Sequence, residues 1–307
     1  MNKTIKKIRH TLHPLRQQFD QMLALFFPKY MAGVLYKRAF HEPLNWTNPT
    51  NINEKINWLK FNSDTTIWTR LADKYLVRQY IEEKGLGHIL VDLYGKWDKS
   101  EDIDWDNLPN SFVMKTNNGS GDILVCKDKQ QLNTKEWTKT FAKLLKVKYG
   151  TLVAEPHYNK MKPCIIAEEL LDNTTQPIPT TSLIDYKIWA FDGKSAYIWA
   201  CHNRTHDTAD VMLYDLSWTA HPEYCVSTHH HHRSETLIPR PASLDEMLTI
   251  ASSLSKGFPQ MRVDLYEVNG KIYFGELTLT SAAGFNDFYT KDFLQTLGSM
   301  VTLPNKK

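Results

Sequence analysis

A mixed α/β (α+β) fold is the expectation for this chain of 307 residues, and three features carry it. Apolar residues recur at helical spacing in some segments and alternate with polar ones in others, with turn residues between. A composition of 42% hydrophobic and 23% charged residues supplies a real core and excludes wholesale disorder. Gly (13) and Pro (14) are ordinary, which excludes collagen-like and low-complexity chains. The length fits one large domain or two to three closely packed subdomains, and no internal repeat is present.

The chain opens basic. Residues 1–40 carry Lys3, Lys6, Lys7, Arg9, Arg16, Lys29, Lys37 and Arg38 against one acid, Asp20, a net +7 that leaves −4 for the rest of the overall +3. An overall +3 is too small to imply a nucleic-acid partner, but its concentration defines an arm. Leu12, Leu15, Phe19, Met22, Leu23 and Phe26 recur at helical spacing and form one stripe. Two readings stay open: a helix lying on an anionic membrane surface, or a basic helix docked on the body of the protein. A cleaved signal peptide is not expected, because the apolar stretch 22–27 is short and runs into Pro28 and Lys29 without a small-residue cleavage site. No apolar run reaches a membrane span. The four cysteines form no C-x-x-C pair, so neither a zinc ribbon nor a disulfide scaffold is indicated, and reduced cytoplasmic thiols are the simplest reading.

The body alternates helix and strand. A helix is expected over about 68–84, with Leu71, Tyr75, Leu76 and Tyr80 on one side and Gly85 as its cap. An acidic, Trp-containing loop follows at 98–109. Strands are expected at 112–115 and 123–126, around the turn-rich loop 116–122. A helix spans about 135–148. Residues 164–171 read as a buried strand ending in carboxylates, and 185–201 as two strands around Asp192-Gly193. Ser243-Leu244-Asp245-Glu246 reads as a capping box opening a helix that Gly257 closes.

The last hairpin, 261–268 with 271–279, is the most informative segment. Met261-Arg262-Val263-Asp264-Leu265 alternates apolar and charged, and so does Gly275-Glu276-Leu277-Thr278-Leu279. A two-residue Asn269-Gly270 turn would put Asp264 and Glu276 on opposite faces. A three-residue turn from Val268 to Gly270 puts Arg262, Asp264, Glu276 and Thr278 together on one face, and the hydrophobic pattern favours it. Two carboxylates with open positions suit Mg²⁺, which binds through one or two acids plus phosphates and water. On this reading neither carboxylate supports the core.

Lys115 ends a strand and precedes Asn117-Asn118-Gly119-Ser120-Gly121. The lysine lies before the glycines, so this is not a Walker A loop. A strand–Gly loop–strand layout resembles a flap over phosphates, with backbone N–H groups facing the anion and the strand lysine as a point charge.

Lys115 with its glycine loop, a strand ending Glu168-Glu169, and the R-x-D…E-x-T hairpin stand in the order of an ATP-grasp enzyme. More closely, the chain resembles the TupA-like ATP-grasp family of bacterial polysaccharide and teichuronopeptide biosynthesis. The matching phrases are Asn53 to Lys60, Asp73 to Arg78, Leu108 to Lys115, Asp185-Tyr186-Lys187, Arg262 to Tyr266 and Phe274 to Thr278, in order over roughly residues 45–304.

The resemblance implies an ATP-grasp fold in which two α/β subdomains clasp ATP. The implied division is a basic helical arm over 1–48, an N-terminal (pre-ATP-grasp) subdomain over 49–110, and the ATP-grasp subdomains over 111–304. Lys74 and Lys115 are then the phosphate-binding lysines, and Gly119, Ser120 and Gly121 the flap. Glu168, Glu169, Leu170 and Leu171 are the hinge that meets adenine. Asp264 and Glu276 are the Mg²⁺ ligands, for one or two ions. Thr278 stands where the wider superfamily usually has Asn, so the third ligand would be a hydroxyl. Arg262 is a transition-state clamp, while Lys187 and Arg204 match family positions near the nucleotide and the reacting groups.

The implied activity is an ATP-dependent carboxylate–amine ligase. It forms an amide between a uronic acid and an amino acid or amino sugar through an acyl phosphate. The expected partners are a glycan or sugar-acid substrate and an amino acid or amine. The expected location is the cytoplasm, peripheral on the inner face of the bacterial membrane if the arm binds lipid. The alternative is a nucleotide-sugar-dependent glycosyltransferase of the same pathway. His229–His232 is expected to be a mobile loop in preference to a metal site, and most of the nine Trp to be core or half-buried.

Overall fold

The computed structural model of the chain describes residues 19–119 and 123–305. Two sheets dominate it. The smaller has the order β1-β4-β2-β3 and is antiparallel throughout: β1 (Leu93–Trp97), β2 (Phe112–Thr116), β3 (Ile123–Cys126) and β4 (Ile165–Glu168). The larger has the order β10-β9-β5-β6-β7-β8: β5 (Asp185–Phe191), β6 (Lys194–His202), β7 (Ala209–Asp215), β8 (His231–Arg233), β9 (Met261–Val268) and β10 (Lys271–Thr278). Only its β7–β8 pairing is parallel.

Described helices are α1 (Pro28–Phe40), α2 (Ile52–Asn62), α3 (Trp68–Ala72), α4 (Val77–Glu83), α5 (Thr134–Leu144), α6 (Tyr149–Leu152), α7 (Leu244–Ser255) and α8 (Lys291–Ser299). Residues 19–26 are helical as well.

Each sheet has its own core. The small sheet closes over Phe112, Met114, Leu124, Ile165 and Phe141 of α5. The large sheet buries Tyr186, Ile188, Trp199, Val263 and Leu265 with Met247, Ile250 and Leu254 of α7; Ile56 and Leu59 of α2 and Leu297 of α8 join the same cluster. Residues 52–89 therefore pack with the large sheet, while β1 belongs to the small one.

The mixed class and the β5–β6 hairpin are as expected. Asp192 (φ 44°) and Gly193 (φ 81°) form the two-residue turn between β5 and β6, the left-handed pair that matches strand twist. Gly85 (φ 74°) and Gly257 (φ 86°) end their helices in the left-handed region.

Several expectations need correction. The helix over 68–84 is broken at Asp73, which is extended (φ −77°, ψ 115°). Its Oδ1 accepts from the N–H groups of Tyr75 and Leu76 at 2.8 and 3.1 Å, so the side chain competes with helical bonding and holds a turn ahead of the next helix. The helix at 135–148 ends at Leu144. The expected Ser243 capping box does not form, because the Ser243 hydroxyl and N–H both donate to Glu267 of β9. The strand at 164–171 stops at Glu168. β1, β7 and β8 were not read from the sequence. β1 is short and interrupted by Gly95, and β8 uses His231 and His232, so part of the histidine run is an edge strand and not a loop.

Candidate active site

Asp264 and Glu276 share one face as expected, but by a route and a register the sequence did not suggest. Lys271 pairs with Val268, so the turn holds only two residues, Asn269 (φ 53°) and Gly270 (φ 73°). That register alone would set the two carboxylates on opposite faces. A β-bulge between Phe274 and Glu276 inserts Gly275 and advances the pairing by one. Glu276 then stands opposite Asp264, and Thr278 opposite Arg262. The bulge needs glycine: a Cβ at position 275 would meet the Asp264 carbonyl oxygen at 2.9 Å and Tyr266 Cε2 at 3.0 Å.

The polar face continues onto β5, where Lys187 pairs with Asp264. Glu276, Asp264 and Lys187 thus form a row across three adjacent strands, with Asp185 two residues before Lys187 on the same face. Arg262 ties the row together. It donates to Asp264 Oδ1 from Nε (2.7 Å), and from Nη2 to Asp264 Oδ2 (2.8 Å), Glu276 Oε1 (3.0 Å) and Thr278 Oγ1 (3.1 Å). Lys187 Nζ bonds Asp264 Oδ2 and, at 2.5 Å, Asp185 Oδ2.

Asp264 is 1% exposed, which overturns the expectation of a carboxylate outside the core. Glu276 keeps 43% of its side-chain surface open. Burial raises the pKa of both acids. At Glu276 the nearby Lys187, Arg262 and Lys74 cations outweigh it and hold the carboxyl well below its usual range. At Asp264 burial outweighs Arg262 and Lys187. Burial lowers Lys187, yet the Asp185 and Asp264 carboxylates reverse the shift and raise it.

Beyond this row lie the central strands β2 and β4 of the small sheet and the α3–α4 break. Lys115 on β2 bonds Glu168 Oε2 at 2.6 Å. Lys74 occupies the break between α3 and α4, and its Nζ donates to the Gly119 carbonyl at 2.5 Å. Asn117 locks that arrangement. Its Nδ2 donates to Asp73 Oδ2 (2.7 Å), its carbonyl accepts from Lys74 N–H (3.3 Å), and its Oδ1 accepts from Cys164 N–H (2.8 Å). Burial lowers the Lys74 pKa; Glu276 opposes that shift and Lys115 adds to it. Lys74 is therefore within electrostatic reach of Glu276 on the large sheet and of Lys115 on the small one.

The structure brings Lys74, Lys115, Gly119, Lys187, Arg262, Asp264, Glu276 and Thr278 to this cleft. Ser120 and Gly121 of the expected flap lie outside the described residues, as do residues 1–18 of the arm. Glu168 is 6% exposed, and its carboxylate is held by Lys115 and by Arg78 Nη1 (3.2 Å), so this side chain faces two cations. Glu169 donates its N–H to the Asp92 carbonyl (2.9 Å), and Leu170 and Leu171 follow outside the strand, half-buried. Arg204 is half-exposed and joins the Asp185 end of the row through an ion pair at 3.7 Å to Asp185 Oδ2.

Three participants were not singled out from the sequence. Arg78 also bonds the Val91 carbonyl (2.8 Å). Asp185 has a buried Oδ1 with no hydrogen-bond partner. Glu155, buried and bonded by the Thr280 hydroxyl, is raised by burial and feels Glu276. Arg78 and Asp185 lie in phrases already quoted, and Asp185 stands at strand spacing from Lys187. Glu155 lies in Glu155-Pro156-His157-Tyr158, which also resembles the family but points to no role.

The donor set fits Mg²⁺ and a polyphosphate. Among the described residues no group of three or more His, Cys, Asp or Glu side chains is arranged to hold a metal ion. A hard cation here would take Glu276, Asp264 and the Thr278 hydroxyl, with phosphate and water oxygens completing its shell. Asp264 already has both oxygens bonded, so Glu276 is the more open of the two ligands.

Residues 54–302 match the family model described as TupA-like ATPgrasp. No curated protein matches the chain. Among solved structures, D-alanine–D-alanine ligase from Bacillus anthracis complexed with ATP is similar at a TM-score of 0.44 and 16% identity, covering 82% of this chain and 68% of that one. An L-amino acid ligase from Bacillus licheniformis is similar at a TM-score of 0.43 and 14% identity, covering 89% of this chain and 56% of that one.

Proposed function

Because the chain belongs to the TupA-like ATP-grasp family, a group of ATP-dependent carboxylate–amine ligases, we propose that it joins a sugar acid to an amine in bacterial surface polysaccharide biosynthesis. The observation that carries this reading is the row Glu276–Asp264–Lys187 under Arg262, with Lys74 between α3 and α4 near Glu276 and Lys115 on the small sheet. Such a cleft concentrates cations around a place for a triphosphate and leaves carboxylates for its counter-ion.

In this proposal a substrate carboxylate oxygen attacks the γ-phosphorus of ATP, and ADP departs with the bonding electron pair. An amine nitrogen then attacks the acyl carbon, phosphate leaves, and the amine loses a proton. Lys115, Lys74 and Arg262 hold the phosphates and offset the negative charge that grows on the transferring group. Glu276, Asp264 and Thr278 would hold Mg²⁺, which when bound neutralises phosphate charge. The carboxylate is a uronic acid, and the amine an amino acid or amino sugar. Their identities rest on the family's setting in polysaccharide synthesis.

Thermal-shift measurements test the reading. ATP with Mg²⁺ should raise the melting temperature, and ADP should appear when a sugar acid and an amine are both supplied. Stabilisation by nucleotide sugars alone would replace it with a glycosyltransferase.

A further inference from the structure

Residues 19–40 separate into two faces. Ala24, Met31, Ala32 and Tyr36 are buried. The first three pack with Ala154 and with the half-buried Leu23, Trp46 and Phe61. The other face is open. Phe19, Met22, Leu25, Phe26, Phe27 and Tyr30 are each between 46% and 67% exposed. In the helix of residues 19–26, Phe19, Met22, Leu25 and Phe26 fall on one arc, away from buried Ala24. Six large apolar side chains within 12 residues is an exposed cluster of the kind that marks an interaction surface.

We propose that this face docks on an anionic lipid bilayer, a property beyond the ligase reaction. Charge complementarity selects that occupant. Residues 1–18 run directly into the exposed helix and carry Lys3, Lys6, Lys7, Arg9 and Arg16 with no acid. Within 19–40 the one acid, Asp20, is bonded by Arg38 at 2.6 Å, and Lys37 is exposed. Lys29, itself exposed, bonds Asn62 and lies over the ring of Trp46, and adds a cation beside the aromatic cluster. Aromatic and aliphatic side chains beside a basic stretch without free acids match a lipid surface, where apolar side chains enter the headgroup boundary and cations meet anionic lipid. The helices lie on the surface and do not cross it: among the described residues none is long and apolar enough to span.

Co-sedimentation of the full chain with vesicles tests the proposal. One set contains phosphatidylcholine alone, and the other phosphatidylcholine and phosphatidylglycerol in equal parts. The wild type should bind the anionic set at low salt, and release part of the bound protein at high salt. Phe26→Ser with Phe27→Ser should weaken partitioning by about tenfold or more at either salt. Lys3→Gln, Lys6→Gln and Lys7→Gln together should weaken it about tenfold or more at low salt, with a smaller effect at high salt. Met22→Ser with Leu25→Ser is an independent apolar pair, and each variant is compared only if it melts like the wild type. The proposal is overturned if the wild type stays in the supernatant with anionic vesicles. It is equally overturned if both apolar pairs bind as the wild type does. A dimer that the apolar substitutions dissolve, without vesicle binding, would assign the face to a second copy of the chain.

Discussion

Glu276 stands directly opposite Asp264 in the β9–β10 ladder, and both are bonded by the same Arg262 guanidinium. The two carboxylates differ in one respect that governs their behaviour: Asp264 is 1% exposed, while the Glu276 side chain is 43% open. The same ladder therefore holds one acid that locks the sheet face and one that can meet a ligand.

Their substitutions should consequently separate. Glu276→Ala should destabilise less than Asp264→Ala, because its side chain is partly open to water, while ATP turnover is lost. Asp264→Ala should destabilise by about 3–5 kcal/mol, since Arg262 and Lys187 would be left buried with too little negative charge. Urea unfolding with ADP release on the same samples reads both. Equal destabilisation by the two variants would contradict the difference in burial.

Gly275→Ala tests the bulge. The new Cβ would stand 2.9 Å from the Asp264 carbonyl oxygen, a contact real Cβ atoms almost never make. Relief requires β9 and β10 to shift, at about 1–3 kcal/mol, and moves Glu276 out of line with Asp264. Stability and ATP turnover should fall together. A variant that melts and turns over like the wild type would show that the pairing does not depend on glycine.

Lys115→Ala should slow phosphoryl transfer by roughly 10²–10³, the scale of one electrostatic contact in a transition state. Arg78 acts one step back, as a positioning residue. It shares Glu168 with Lys115, so the trio carries a net positive charge that Lys115 and Glu168 alone would lack. Arg78→Ala should lower turnover by about tenfold, with partial rescue by Arg78→Lys. The effects of Arg78→Ala and Glu168→Gln should be non-additive, because both act on Lys115. Additive losses would place Arg78 outside the site.

ATP affinity should fall as pH rises toward the alkaline range. Burial lowers the pKa of Lys74, so this cation loses its proton below the ordinary lysine value and with it the attraction for phosphate. Lys74→Arg should flatten the decline, since a guanidinium keeps its charge over the whole range. Binding measured by calorimetry between neutral pH and the upper limit of stability checks the sign. A wild-type affinity that rises with pH would exclude Lys74 as a phosphate ligand.

Patterning made much of the chain legible. Strands alternating apolar and charged residues, the Asp192-Gly193 turn and the glycine caps are local signals, and local chemistry decides them. The ordered phrases from Asn53 to Thr278 carried the family and the main site residues. The break at Asp73 was less legible, because its side chain competes with a helix that Leu71, Tyr75, Leu76 and Tyr80 otherwise suggest.

By itself, then, the sequence determined which chemical groups the cleft contains: a hairpin of two acids and an arginine, a lysine before a glycine loop, and a second lysine near Asp73. Only the tertiary structure decided how they meet. Turn length and hydrophobic pattern pointed to a three-residue turn, whereas the chain makes a two-residue turn and recovers the same face through the Gly275 bulge. A bulge of this kind is settled by packing against the neighbouring strand, which no local pattern reports. The burial of Asp264 likewise depends on β5 supplying Lys187 from 77 residues away, and the pairing of Lys115 with Glu168 and Arg78 on two sheet strands and a helix from separate parts of the chain. Contacts of that range are set by how the sheets assemble, because each group's charge is satisfied only after the others are in place.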